Sequence, residues 1–178
     1  MRNRTVISLR ETVGGGYDEF WNCRKRYRVV KGGKASKKST TMALWLITMM
    51  MRPEYRLANA LVVRKVMATH RGSTFAQLQW AISKLKVDRW WKATVSPMEI
   101  TYLKTGQKII FRGFDDAQKL ASTTVAHGHL CWVWIEEAYE LDSESEFDLL
   151  DWSVPRGAIP KPLFHQTTFS LPPLTELI

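Results

Sequence analysis

The sequence predicts an α/β fold, a mostly parallel sheet sandwiched by helices with an inserted β-hairpin. Three observations predict it. Short apolar runs alternate with segments of helical period along the chain. The run from Leu130 to Ile135 is apolar without alternation, as expected of a strand buried on both faces of a parallel sheet. A glycine-bearing loop and a pair of acids follow apolar runs directly, and the carboxyl ends of parallel strands are where such sheets bind ligands.

Residues 1–17 are polar, contain Gly14-Gly15-Gly16 and show no sustained period, so they read as an N-terminal arm. A first strand is expected at 28–31, around Tyr27, Val29 and Val30, and a helix rich in Met, Leu and Ala over 39–51. Ala60 to Val63 forms a second strand, and Phe75, Leu78, Ala81, Ile82 and Leu85 give 73–85 helical spacing. The runs 99–103 and 107–111 flank Lys104-Thr105-Gly106, a hairpin signal with glycine in the turn. After the strand at 130–135, a helix is expected over 143–152 with Ser143 as N-cap, Glu146 at the capping-box position and Phe147, Leu149 and Leu150 inward. Pro155, Gly157, Pro160 and Pro162 then break the chain before a last strand at 164–169.

The 178 residues, 45% hydrophobic, suffice for one substantial core, so 18–178 reads as a single domain after the arm. The 26 Lys and Arg exceed the 17 Asp and Glu by nine, which favours polyanionic partners such as nucleic acid or nucleotide phosphate. Charge is also segregated. Residues 24–38 hold eight bases and no acid, whereas 136–151 hold eight acids and no base. Cys23 and Cys131 fit neither a disulfide framework nor a metal-ligand spacing. The longest apolar run, Met42 to Met51, is half a bilayer span, and the N-terminus has no signal-peptide core, so no membrane segment is expected.

Gly32-Gly33-Lys34-Ala35-Ser36-Lys37-Lys38-Ser39-Thr40 carries the parts of a phosphate-binding loop in order. Small residues let backbone N–H groups wrap phosphate oxygens, Lys38 reaches the outer phosphates, the Ser39 hydroxyl suits Mg2+, and a helix N-terminus follows. Lys37 stands where the pattern has its second glycine, so it must adopt a glycine-like backbone. Glu136 and Glu137 supply a carboxylate for hydrated Mg2+ and one for the attacking water. Arg64 and Arg112 follow strands and are candidates to neutralise charge on a γ-phosphate. Of eight tryptophans, Trp21 beside the basic block is the candidate for stacking on adenine. The other readings of these residues are a basic turn, an acidic helix cap and surface ion pairs.

Five segments resemble the large terminase subunit of tailed phages of Gram-positive hosts: 17–21 with 29–39, 61–65 (Leu-Val-Val-Arg-Lys), 111–116 (Phe-Arg-Gly-Phe-Asp-Asp) and 134–138 (Trp-Ile-Glu-Glu-Ala). That family's phosphate loop carries an early basic residue and tolerates a non-glycine before its Lys, as Lys34 and Lys37 do here. The resemblance implies a P-loop NTPase fold of the additional-strand type and an ATPase using ATP and Mg2+. Ser39 and Glu136 would hold the metal, and Glu137 would activate water. It also implies partners: double-stranded DNA, the small terminase subunit and the phage portal protein, with the chain acting in a homo-oligomeric ring in the bacterial host cytoplasm. Two departures accompany it. The family's Thr/Ser-rich coupling motif corresponds here to Gln166-Thr167-Thr168-Phe169-Ser170-Leu171-Pro172-Pro173, and the chain ends at Ile178 before a C-terminal nuclease domain. The alternative reading is a non-catalytic, nucleotide- and DNA-binding remnant of a terminase.

Overall fold

The computed structural model describes residues 7–153 except 24, 26 and 34. Its sheet has five strands: β1 Ala58–Arg64, β2 Trp91–Val95, β3 Met98–Tyr102, β4 Lys108–Gly113 and β5 His129–Ile135, in the order β2-β3-β4-β1-β5. β1 lies between β4 and β5 and pairs with both in parallel, while β2, β3 and β4 run antiparallel. The sheet is mixed, with β3 alone running against the other strands. The expected hairpin is β3–β4, and it is built into the sheet. Ile109, Ile110 and Phe111 of β4 are all buried, so this strand is also one wall of the parallel half. β2 was not expected. Only Trp91 of its five residues is buried, so it carries the weak signal of an exposed edge.

Alternate residues of β1 feed two cores. Ala60 and Val62 face a layer with Trp132 and Trp134 of β5 and the helices α3 Lys38–Met50 and α4 Thr74–Lys84. Leu61 and Val63 face the opposite layer with Val133, Ile135, Leu120 of α5 Ala117–Ala121 and Leu150 of α6 Glu144–Ser153. Two-sided burial explains why β1 and β5 are apolar throughout. α3 is buried almost all round from Thr41 to Met50, because the sheet, α4 and the N-terminal segment enclose it. Trp45 meets Trp132 edge to face at 5.9 Å.

The start of the chain departs from expectation twice. The arm contains a helix, α1 Leu9–Val13, capped by Ser8, whose Oγ accepts from the Glu11 N–H at 3.2 Å, and Val13 is buried. α2 Asp18–Asn22 follows and buries Phe20. The expected strand at 28–31 has no sheet partner among the described residues. Arg28, rather than the valine beside it, turns inward. Its guanidinium lies 4.5 Å from the Trp45 ring centroid and 5.4 Å from that of Phe20, and it donates to the Cys23 carbonyl. Val29 is 61% exposed.

In the last described helix the capping differs in detail. Glu146 accepts from the Asp142 N–H at 2.9 Å rather than from Ser143, whose hydroxyl pairs with that of Ser145. Leu150 is buried and Phe147 half-buried as expected, while the Leu149 side chain lies outside the described residues. The expected strand at 164–169 and the stretch Gln166 to Pro173 also lie outside them. No described helix is long and apolar enough to cross a membrane.

Candidate functional site

The phosphate loop enters α3 through two non-glycine residues in the left-handed region, Ala35 (φ 65°) and Lys37 (φ 64°). Lys37 thus adopts the glycine-like backbone that its place in the motif demands, at a steric cost of about 1 kcal/mol or more. Gly32 leaves room for Ser36, whose Oγ and Cβ a Cβ at 32 would meet at 2.9 and 3.3 Å. The N-terminal segment braces the loop. Tyr17 Oη donates to the Ser36 carbonyl, and Lys37 Nζ donates to the Thr12 carbonyl at 3.1 Å.

Lys38 Nζ folds into the loop, donating to the Gly32 carbonyl, the Gly33 carbonyl (3.1 Å) and Ser36 Oγ (3.2 Å). An ammonium ringed by loop oxygens marks where an anionic ligand would be met. Lys34, a candidate for the same ligand, lies outside the described residues.

β5 delivers the acids. Glu136 is 8% exposed; its Oε1 accepts from Ser39 Oγ and its Oε2 from Trp134 Nε1 at 2.8 Å. Its pKa is raised, first by burial and further by neighbouring Glu137, against the Ser39 and Trp134 hydrogen bonds and the Arg64 charge, which lower it. The backbone turns out of the sheet at Glu137 (φ 56°), leaving that carboxylate half-exposed beside its buried neighbour. A hydroxyl and a carboxylate are hard oxygen donors of the kind Mg2+ takes. Among the described residues no group of three or more His, Cys, Asp and Glu is placed to hold a metal.

A cavity of about 450 Å³ opens over Ser39 and Glu136, walled by the first turns of α4 through Ser73, Thr74, Gln77 and Trp80. Thr40 reaches this wall, its Oγ1 accepting from Gln77 Nε2 at 3.4 Å. The sequence reading missed the wall. Its available signal was the placement of 73–74 at the start of a helix following a parallel strand.

The two candidate arginines part company. Arg64 NH1 donates to Ser73 Oγ at 3.0 Å and NH2 lies 3.8 Å from Glu140 Oε1, so its charge sits at the acidic end of the cleft. Arg112 donates to Thr123 Oγ1 (3.1 Å) and to the Phe111 carbonyl (2.8 Å), not to the loop or the acids. Its guanidinium is engaged on its own strand and the α5–β5 connection, which argues for a structural role.

His70, also missed, is fully buried and ties these parts together. Its Nε2 donates to the Arg112 carbonyl (2.8 Å), which can only accept, so Nδ1 accepts from the Thr74 hydroxyl (2.6 Å). Burial is the main cause that lowers its pKa from 6.5 to about 4. Trp21 is half-buried and lines a crevice of about 190 Å³ with Leu9, Arg10, Val13, Tyr17 and Asp18, joined to the phosphate loop through Tyr17.

A glycine-bearing loop leading into a helix, with its hydroxyl bonded to a carboxylate at the end of a parallel strand, defines the class: the domain has the P-loop NTPase fold. The large terminase of a thermophilic bacteriophage shares this fold at a TM-score of 0.62 and 12% identity, over 82% of this chain and 34% of that one. The large terminase ATPase domain of Thermus phage P74-26 shares it at 0.57 and 10% identity, over 95% and 66%. The first of these terminases has been solved with ADP and with ATP-γ-S, at TM-scores of 0.54 and 0.55. The family model for the phage terminase large subunit matches residues 24–177, and the chain belongs to that family. It is 41% identical over 158 residues to the terminase large subunit of Bacillus phage SPP1, covering 86% of this chain and 37% of the SPP1 protein.

Proposed function

We propose that this chain binds and hydrolyses ATP with Mg2+ to drive packaging of double-stranded phage DNA into proheads. The observation that carries the reading is the hydrogen bond from Ser39 to Glu136, which joins the phosphate loop to the acidic strand end across 97 residues of sequence.

In this reading Gly32 to Thr40 wrap the triphosphate, and Lys38 exchanges its loop carbonyls for the outer phosphates. Ser39 and Glu136 hold the metal, which when bound neutralises charge on the phosphoryl oxygens. Glu137, turned toward solvent next to buried Glu136, orients the attacking water. Arg64 adds positive charge at the same end, from a position already beside Glu136. Trp21 offers its face to the base in the crevice beside Tyr17. The terminase-like context adds the small subunit, the portal protein, a ring of copies and the bacterial host cytoplasm as the setting.

Phosphate release by the purified chain tests the assignment. Turnover should require Mg2+ and fall at least about 100-fold in Lys38→Ala and in Glu137→Gln. Robust turnover surviving both substitutions would sink the reading. Nucleotide binding without turnover in the unsubstituted chain would assign the non-catalytic alternative.

A further inference from the structure

The two ends of the sheet differ in their mix of charge. β1, β4 and β5 point their carboxyl ends at the phosphate loop, where the acids just after β5, Glu136, Glu137 and Glu140, meet the bases of the loop, Lys37 and Lys38. At the other end, residues 84–108 contribute six bases and two acids. One of these acids, Glu99, is paired with Lys108 at 2.9 Å, and the other, Asp88, accepts from Ser83. Lys84, Lys86, Arg89, Lys92 and Lys104 are all exposed.

These bases form a surface with a built centre. The 3-10 turn Asp88–Trp90 and the β3–β4 turn are held together by the Leu103 N–H donating to the Trp90 carbonyl at 2.8 Å. The Trp90 ring lies beneath two cations, Lys104 Nζ at 3.9 Å and Arg89 Cζ at 4.8 Å from its centroid. Lys92 stands on the same edge, in register with Thr101 of β3. An aromatic ring that holds two cations together limits their loss of side-chain freedom when an anion binds. The bases stand along an exposed edge of the sheet, as suits a long, regularly charged rod.

We propose that this edge, centred on Arg89, Trp90 and Lys104 with Lys92 beside them, grips the phosphate backbone of duplex DNA, at the pole opposite the nucleotide site. The proposal rests on the packaging reading for its choice of duplex DNA over an acidic protein. It goes beyond that reading by assigning the surface. Contact is to phosphates and not to base edges, so binding is indifferent to sequence and steeply salt-dependent.

The experiment measures fluorescence anisotropy of a labelled 30-base-pair duplex titrated with the full chain between 50 and 200 mM salt. It compares the unsubstituted protein, R89A/K104A, Lys92→Ala and the charge-keeping Arg89→Lys, with binding of a fluorescent ATP analogue measured in parallel. R89A/K104A should lose at least about tenfold in DNA affinity and flatten the log–log salt slope by about 2, and Lys92→Ala should flatten it by about 1. Arg89→Lys should keep the slope, and analogue binding should be unchanged in every variant. Affinity and slope unaltered in R89A/K104A overturn the proposal. So does competition by polyglutamate equal to that by unlabelled duplex, which would mark an acidic protein as the occupant. A chain that fails to bind the analogue while its DNA binding responds as stated refutes the nucleotide reading and leaves this surface standing.

Discussion

His70 should make the stability of this domain fall in mild acid, and the size of the fall can be worked out. The ring is fully buried and its pKa lies at about 4 in the folded chain against 6.5 ordinarily. The unfolded chain therefore takes up a proton that the native state refuses. The contribution is complete well above pH 6.5, falls as pH drops through the interval to 4, and levels off below that. The linkage integral gives a loss of about 2 kcal/mol at pH 5 and about 3 kcal/mol at pH 4. His70→Gln keeps a donor for the Arg112 carbonyl and does not titrate. Urea unfolding of both proteins at pH 7.5, 6, 5 and 4.5 isolates the His70 contribution as the difference between the two pH profiles. The unsubstituted chain should lose about 2 kcal/mol more than His70→Gln between pH 7.5 and 5. Parallel profiles would refute the buried, neutral, doubly hydrogen-bonded histidine.

Two further substitutions probe the site and its frame. Glu136→Gln removes a charge that burial makes costly while keeping an acceptor for Trp134 and a partner for Ser39. The melting temperature should hold or rise, and the upward shift that Mg2+ with ATP gives the unsubstituted chain should vanish. A variant that still shows the full shift would remove Glu136 from the metal site. Gly128→Ala places a Cβ 2.0 Å from the Leu57 carbonyl oxygen at φ +72°. That oxygen already accepts from the His129 N–H at 2.8 Å, so neither backbone can yield easily. Chemical denaturation should show a loss of about 2 kcal/mol or more.

The strands β1 and β5 and the helices α3 and α4 were legible because burial on two faces, or one apolar helical stripe, leaves an unambiguous pattern. Glu136, Glu137 and the phosphate loop were legible because their chemistry needs particular residue types at particular strand ends. The segment at 28–31 misled because its valines advertise a strand, while the inward residue is Arg28, whose burial depends on Trp45 and Phe20 meeting its guanidinium. β2 was invisible because four of its five residues are not buried. Arg64 and Arg112 looked alike, each closing an apolar run. Only the fold separates Arg64, held beside the acids by Ser73 and Glu140, from Arg112, engaged with Thr123. The roles of His70, Ser73 and Gln77 come from packing between segments far apart in the chain, which no local spacing encodes.

The central claim is that the loop from Gly32 to Thr40 and the carboxylate of Glu136 form one nucleotide site. Calorimetric titration of the purified chain with ATP-γ-S, with and without Mg2+, tests it most directly. The account predicts one molecule bound per chain, weakened by withdrawal of Mg2+ and abolished by Lys38→Ala. Binding that is absent from the unsubstituted chain, or that persists undiminished in Lys38→Ala, would contradict it.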